Sequence, residues 1–471
     1  MGSIRSYASQ IGAVSTRDDI HPQPQEKGTN GQGQSSVLPT LEKDHPARYV
    51  LGIFRVKSAG ESGRTGVHPI HFLLVCFKSI CTVSMVVNIL WPFVPAAIVM
   101  HFARPDLHVW VFALNYIAMV PSANLLGFAG GELAKKLPKV FGVLLETTLG
   151  SVVELVLFMV LLHNDTSNEP NSEHSLIPVI QAAILGSILA NLLLCLGMCF
   201  FVGGLKRSEQ VFHEAVSEVG TGLLLVAGFG LLIPSAFYSA LKGAVNPKFT
   251  LQELDDSVTT ISRATSVILL MAFFGYLVFN LHSHNSIFDD VLEMDERQDE
   301  DRDEESQRAK LTFIECLIAI AISLTCVCMS AVFLVQEIEH IVALGVSDNF
   351  MGLILVPLVE KAAEHLTAVD EAWDNQINFA LFHCLGPSIH TALLNAPLAV
   401  IVGWGLDKNM TLNFEIFMVV LLVLSILVVG NFLRDGKSNY LEGMLCVLVY
   451  FIIAVTSWYY PKVDVAATNQ A

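Results

Sequence analysis

Leu353-Ile354-Leu355-Val356-Pro357-Leu358-Val359-Glu360-Lys361-Ala362-Ala363-Glu364-His365-Leu366 sets two carboxylates, a lysine and a histidine in an apolar stretch. Taken over about 349–372, that stretch is long enough to cross a bilayer. An ionisable side chain at the membrane centre costs roughly 3 kcal/mol on insertion scales, so such residues face a cavity, a partner or an ion. Glu364 is therefore the residue from which function is read.

Composition supports the membrane setting. Apolar residues make up 53% of the 471 and charged residues 15%, and mean hydropathy is +0.56, values that exclude a water-soluble globular domain. The net charge of -17 says little about fold, because much of the acid lies in one segment. The nine cysteines lie in or beside apolar stretches without CxxC spacing, so neither a disulfide framework nor a zinc site is expected. Residues 1–72 are polar, rich in Gly, Gln, Ser and Pro and without period, and read as a disordered cytosolic tail. Met1-Gly2-Ser3-Ile4-Arg5-Ser6 fits a loose myristoylation pattern, read here as a chance match.

Eleven apolar stretches of about 18 to 28 residues follow. They cover about 78–101, 108–129, 139–162, 176–203, 213–240 and 262–283, then 311–335, 349–372, 377–404, 412–433 and 439–460. The run Asp289 to Glu305 between the two groups holds eleven acids without the spacing of a calcium-binding loop. It reads as a charged linker or a surface that attracts cations. With a cytosolic N-terminus, eleven Lys and Arg fall in the later cytosolic loops (Lys135, Lys136 and Arg434 among them) against five on the other side, and that bias sets the orientation. The sequons Asn164-Asp165-Thr166 and Asn409-Met410-Thr411 then lie on the lumenal side.

The third and eighth spans each carry Glu after a short polar break, Gly150-Ser151-Val152-Val153-Glu154 and Glu360-Lys361-Ala362-Ala363-Glu364. Each is followed by a span with a Leu-Gly pair, Leu185-Gly186 and Leu385-Gly386. Five spans separate the partners, so they cross in opposite directions, as in the inverted repeats of secondary transporters. The expected fold is an all-α polytopic membrane protein, one extra helix plus two inverted five-helix repeats. Its parts are 78–284, an acidic loop or helix at 285–310, 311–461, and a C-terminal tail at 462–471.

An inverted two-fold axis brings Glu154 and Glu364 face to face. Two carboxylates at one buried point suit a divalent cation, and Ca²⁺ matches hard oxygen ligands. Protons and the cation would compete for the same oxygens. Glu146, Gly150 and Glu154 share a helix face, as do Glu360 and Glu364. Lys361 either neutralises the site like a bound monovalent ion or snorkels away from it. Ser151, Ser187, Asn191 and Ser388 are candidate neutral ligands, and His365 and His390 candidate relay groups; interhelical hydrogen bonding is the plainer role for such residues. Pro387 suggests a broken helix with exposed carbonyls.

Over about residues 75–462 the chain resembles the cation/proton exchanger (CAX) family of the Na⁺/Ca²⁺ exchanger superfamily. Three stretches carry the likeness: Leu185 to Leu194; Gly352 to Pro357 leading into Ala362-Ala363-Glu364-His365; and Asp435 to Gly443. The resemblance implies vacuolar Ca²⁺ uptake driven by outward protons, no cofactor, and an acidic helix between the repeats. It also implies that Glu154 and Glu364 are the two essential carboxylates. Against the family's Gly-Asn-Ala-x-Glu motif, this chain has Ser151 for the first Asn and Glu360-Lys361 for the second Gly-Asn. Glu146 stands where Asn is usual and His390 where Gln is usual, and Val332, Gln336 and Gly131 replace acids.

The expected function is cation/proton antiport by alternating access in the vacuolar membrane, with Ca²⁺ or another cation, protons and the bilayer as partners and no nucleic acid. The alternative is a non-transporting member acting through its tail or acidic segment. No P-loop is present for an ATP-driven pump, and no enzymatic activity is expected.

Overall fold

The computed structural model describes residues 64–79, 82–165, 175–243, 249–299 and 309–460. The myristoylation pattern, most of the N-terminal tail, Thr166 of the first sequon, the acids from 300 to 305 and the tail at 462–471 lie outside the described residues.

The chain opens with α1 (Pro69–Lys78), α2 (Thr82–Val87) and α3 (Phe93–Ala103). Helix therefore begins inside the expected tail, and Trp91-Pro92 forms a short turn between α2 and α3 in the expected first span, where the proline lacks an N–H to donate. Five helical segments follow: α4 (His108–Ala134), α5 (Lys139–Asn164), α6 (Ile177–Leu189) joined to α7 (Leu196–Lys206), α8 (Glu214–Lys242) and α9 (Leu251–Val278). The acidic helix α10 (Asn285–Gln298) separates them from a second set of five. That set is α11 (Phe313–Ala343); the chain of α12 (Asp348–Phe350), α13 (Val356–Glu360) and α14 (Ala362–Trp373); α15 (Ile377–His390) joined to α16 (Ala396–Gly405); α17 (Ile416–Phe432); and α18 (Tyr440–Tyr459).

Nine helices among the described residues are long and apolar enough to cross a membrane. The expected eighth span is interrupted, and α17 has 17 residues, which is why these two of the eleven do not count as long helices. Large apolar side chains such as Ile268, Met271 and Phe274 of α9 face outward, whereas Ser262 and Ser266 of the same helix are buried. A lipid-facing surface reverses the usual arrangement because hydrocarbon accepts apolar groups and not hydroxyls.

Four wide π turns interrupt the helices, at Ala190–Cys195, Phe279–Ser283, Met351–Leu355 and Thr391–Asn395. The first and last occupy corresponding places after the two Leu-Gly pairs. Helix α15 runs through Pro387 unbroken, so the widening comes four residues later than that proline suggests. The glycines of the two pairs allow the halves to interlock. A Cβ at Gly186 would strike the Leu353 backbone, and one at Gly386 would lie 3.1 Å from the Thr147 methyl. Each Leu-Gly helix thus packs against the glutamate helix of the other half.

At one end of the bundle, buried carboxylates replace missing backbone partners. Glu132 accepts from Lys310 N and from Leu311 N at 3.0 Å. Glu315 closes a capping box with Thr312 and receives Arg64 Nη2 at 3.0 Å. Asp295 of α10 accepts from Asn378 N and Nδ2, both at 2.7 Å, and from Phe379 N at 3.0 Å, so it caps α15. Burial pushes its carboxyl above the usual range while those donors pull it back. Lys139 of α5 pairs with Glu296 at 2.7 Å, so α10 is fastened to both helices. A two-residue antiparallel pairing, Gln210 with Ser438 and Val211 with Lys437, joins the loop after α7 to the one before α18.

Asp295→Ala removes three hydrogen bonds to a charged acceptor. It is expected to cost roughly 3 kcal/mol, read as a lower thermal unfolding midpoint of the full chain in detergent, with a smaller loss for Asp295→Asn.

Candidate functional site

Glu154 sits on α5, where Gly150 and Ser151 interrupt the apolar run but not the helix. In the other half the helix itself is interrupted. Lys361 separates α13 from α14 with φ -93° and ψ -1°, while its N–H still reaches Pro357 O and its carbonyl still accepts from His365 N, both at 2.9 Å. The chain kinks without leaving backbone groups stranded.

The kink turns Glu364 towards Gly150, whose missing side chain leaves the room its carboxylate occupies. Lys361 Nζ is fully buried, 3.6 Å from Glu364 Oε2. The charges of Glu154, Glu360 and Glu364 all act on Lys361, so the lysine does not snorkel but stands among three carboxylates. Glu154 Oε2 accepts from Thr391 Oγ1 at 2.6 Å and Asn395 Nδ2 at 2.8 Å. Both donors come from the π turn after α15.

The corresponding contact in the other half is not the mirror image. Asn191 Oδ1 lies 3.0 Å from His365 Nε2, one residue beyond Glu364. The one-residue offset frees Glu364 for Lys361. Ser187 Oγ lies 3.4 Å from Thr391 Oγ1, and Ser151 Oγ lies 3.2 Å from His390 Nδ1. These residues are brought together with the two glutamates. Ser388 donates its hydroxyl to Cys384 O on its own helix at 2.9 Å, as Ser151 does to Thr147 O at 3.0 Å.

A cavity of about 30 Å³ lies beside Glu364, enough for one or two waters. Its lining includes Glu146, Gly150, Glu360, Glu364 and His383. His383 Nε2 is 3.8 Å from Glu146 Oε2, and its Nδ1 is 2.8 Å from Glu371 Oε2, forming a Glu-His-Glu row towards the α10 end with the imidazole buried and both carboxylates partly buried. A Cβ at 131 would lie 3.2 Å from Glu146 Oε1, so Gly131 leaves room on its helix for the carboxylate of the facing helix.

Sequence reasoning missed Thr391, Asn395, His383 and Glu371. The four-residue spacing of Thr391 and Asn395 could have revealed the first pair. Glu371 and His383 lie across a loop and share no period. The cysteines also converge despite their spacing: Cys384 Sγ is 3.4 Å from Cys195 Sγ and 3.9 Å from Cys199 Sγ.

Fifteen buried side-chain atoms lack a hydrogen-bond partner among the described residues, and seven belong to this region: Glu154 Oε1, Asn191 Nδ2, Glu360 Oε1, Lys361 Nζ, Glu364 Oε2, His383 Nε2 and His390 Nε2. Buried polar atoms are ordinarily satisfied, so this concentration marks a place prepared for a small polar occupant. Removing Glu154's donors with Thr391→Val or Asn395→Leu is expected to cost about 1–3 kcal/mol each. The check is thermal unfolding of each variant beside wild type.

The sodium/calcium exchanger protein family matches residues 107–282 and 316–459. Vacuolar cation/proton exchanger 2 of Oryza sativa subsp. japonica is 32% identical over 387 residues, covering 81% of this chain and 83% of that protein. The vacuolar calcium ion transporter of Schizosaccharomyces pombe is 32% identical over 353 residues, covering 75% and 80%. A solved structure of native YfkE superposes with a TM-score of 0.63 at 25% identity, over 80% of this chain and all of that one. The interlocked halves, the glutamates at their crossing and these likenesses agree that the chain belongs to the sodium/calcium exchanger protein family, among the vacuolar cation/proton exchangers.

Proposed function

We propose that this protein is a multi-pass antiporter of the vacuolar membrane that moves Ca²⁺ into the vacuole in exchange for protons by alternating access. It is a transporter, not an enzyme. Glu154 and Glu364 take cation and proton in turn. The observation that carries this reading is the cluster of buried atoms from Glu154, Glu360, Lys361 and Glu364 that make no hydrogen bond where the two halves cross.

Three ionised carboxylates and one ammonium leave two negative charges. One divalent cation or two protons cancel them, so exchanging Ca²⁺ for two protons keeps the buried charge constant, which a low-dielectric site favours. Carboxylate oxygens suit Ca²⁺. Asn191 and Ser187, joined by Thr391, Asn395 and Ser151, supply neutral groups around them. Glu146, His383 and Glu371 give protons a row of acceptors towards the α10 face, and the Lys and Arg bias supports a cytosolic position for that face and the N-terminus.

Lys361 favours a second reading of the cation. An ammonium held 3.6 Å from Glu364 occupies part of the space a divalent ion needs and biases the site towards a monovalent one. In proteoliposomes with an acidic interior, radiolabelled Ca²⁺ is expected to accumulate, and collapse of the gradient or Glu364→Gln to abolish uptake. Na⁺ uptake in its place supports the monovalent variant. A wild-type protein that moves neither cation overturns antiport. Lys361→Asn removes the competing charge and is expected to tighten Ca²⁺ binding by about tenfold or more, measured by equilibrium binding of the labelled ion.

A further inference from the structure

Opposite the α10 end, α4 begins at His108 and α11 ends at Ala343. Glu337, one turn and a half before that end, is buried. A buried carboxylate needs a counter-charge or strong donors, yet among the described residues no Lys or Arg lies within ion-pair distance of it. Its neighbours are imidazoles. His108 Nδ1 lies 2.7 Å from Glu337 Oε2, and His340 Nδ1 lies 3.8 Å from the same oxygen. The two imidazole rings are stacked, centroids 3.6 Å apart and planes 9° from parallel, so one ring has to rotate about its χ2 for both Nδ1 lone pairs to converge on one ion. One ligand atom from each of the three residues falls within 4.8 Å of the others.

We infer that His108, Glu337 and His340 form a binding site for a divalent transition-metal ion of the Zn²⁺ type, separate from the carboxylate cluster at the crossing. Bonds of about 2.0–2.1 Å at tetrahedral angles set ligand atoms about 3.3 Å apart, and the observed 2.7 and 3.8 Å bracket that value. Two imidazoles and a carboxylate with a fourth position open to solvent is a recurrent zinc donor set, and nitrogen donors select against Ca²⁺, which takes oxygen. Solvent reaches the site, because the side chains of His108 and His340 are 39% and 50% exposed while Glu337 is 7% exposed. Glu337 and His340 share a face of α11 at i, i+3 spacing, whereas His108 comes from α4. A bound ion therefore clips the first long helix of one half to the first long helix of the other.

The inference stands on these side chains and does not depend on the transport reading. It is tested on the purified full chain in detergent with Zn²⁺ by calorimetry and with Co²⁺ as a spectroscopic substitute. Wild type is expected to bind Zn²⁺ in the presence of excess Ca²⁺ and to give the visible absorption of tetrahedral Co²⁺. Removing one ligand is expected to weaken binding at least about tenfold, the smallest loss seen even for groups that only support a ligand. His340→Ala, at an exposed position that tolerates truncation, and His108→Ala should both lose the Co²⁺ bands. Glu364→Gln should keep them. Co²⁺ bands and Zn²⁺ affinity unchanged in His340→Ala, or displaced by Ca²⁺, would overturn the assignment.

Discussion

Lys361 Nζ lies 3.6 Å from Glu364 Oε2, buried in the bundle, with the charges of Glu154 and Glu360 acting on it as well. Desolvating an ammonium or a carboxylate alone is expensive, and the cost is offset only when opposite charges are held together. That requirement shapes the surroundings. The helix kinks at Lys361, Gly150 omits a side chain where Glu364 needs space, and Thr391 and Asn395 turn their donors to Glu154. None of these features has a use without the buried charges, and the charges have no stable place without them.

The two halves meet through exchanged contacts: α15 with its π turn reaches the Glu154 helix, and the α6–α7 segment reaches the Glu364 helix. Under exact symmetry Asn191 would meet Glu364, but it meets His365. The offset makes the halves unequal in chemistry. One glutamate is held by neutral donors and the other faces a cation, so the two carboxylates sit in different electrostatic surroundings.

Away from the crossing, α10 links the site helices to the aqueous face through Asp295 on α15 and the Glu296–Lys139 pair on α5. Part of the acidic segment is therefore structural. The inward face of α10 carries Phe288, Val291 and Leu292, an apolar stripe at helical spacing that the density of acids concealed.

The sequence alone determined the membrane class, the order of the spans, the two halves and the pair Glu154 and Glu364, because hydropathy and repeated motifs are properties of local sequence. It left the position of Lys361 open between the site and an interface, and it suggested a helix break at Pro387 where the helix continues. Proline marks where a backbone donor is absent, but neighbouring helices decide whether the helix yields there. Ser388, like Ser151, donates its hydroxyl to the carbonyl one turn back on its own helix. Thr391, Asn395, His383 and Glu371 became visible only when distant segments packed, since hydrogen-bond partners across helices leave no period in one chain. The polar groups at the crossing were thus legible as residue types, while the tertiary structure decided which of them meet, because only packing fixes distance and desolvation together.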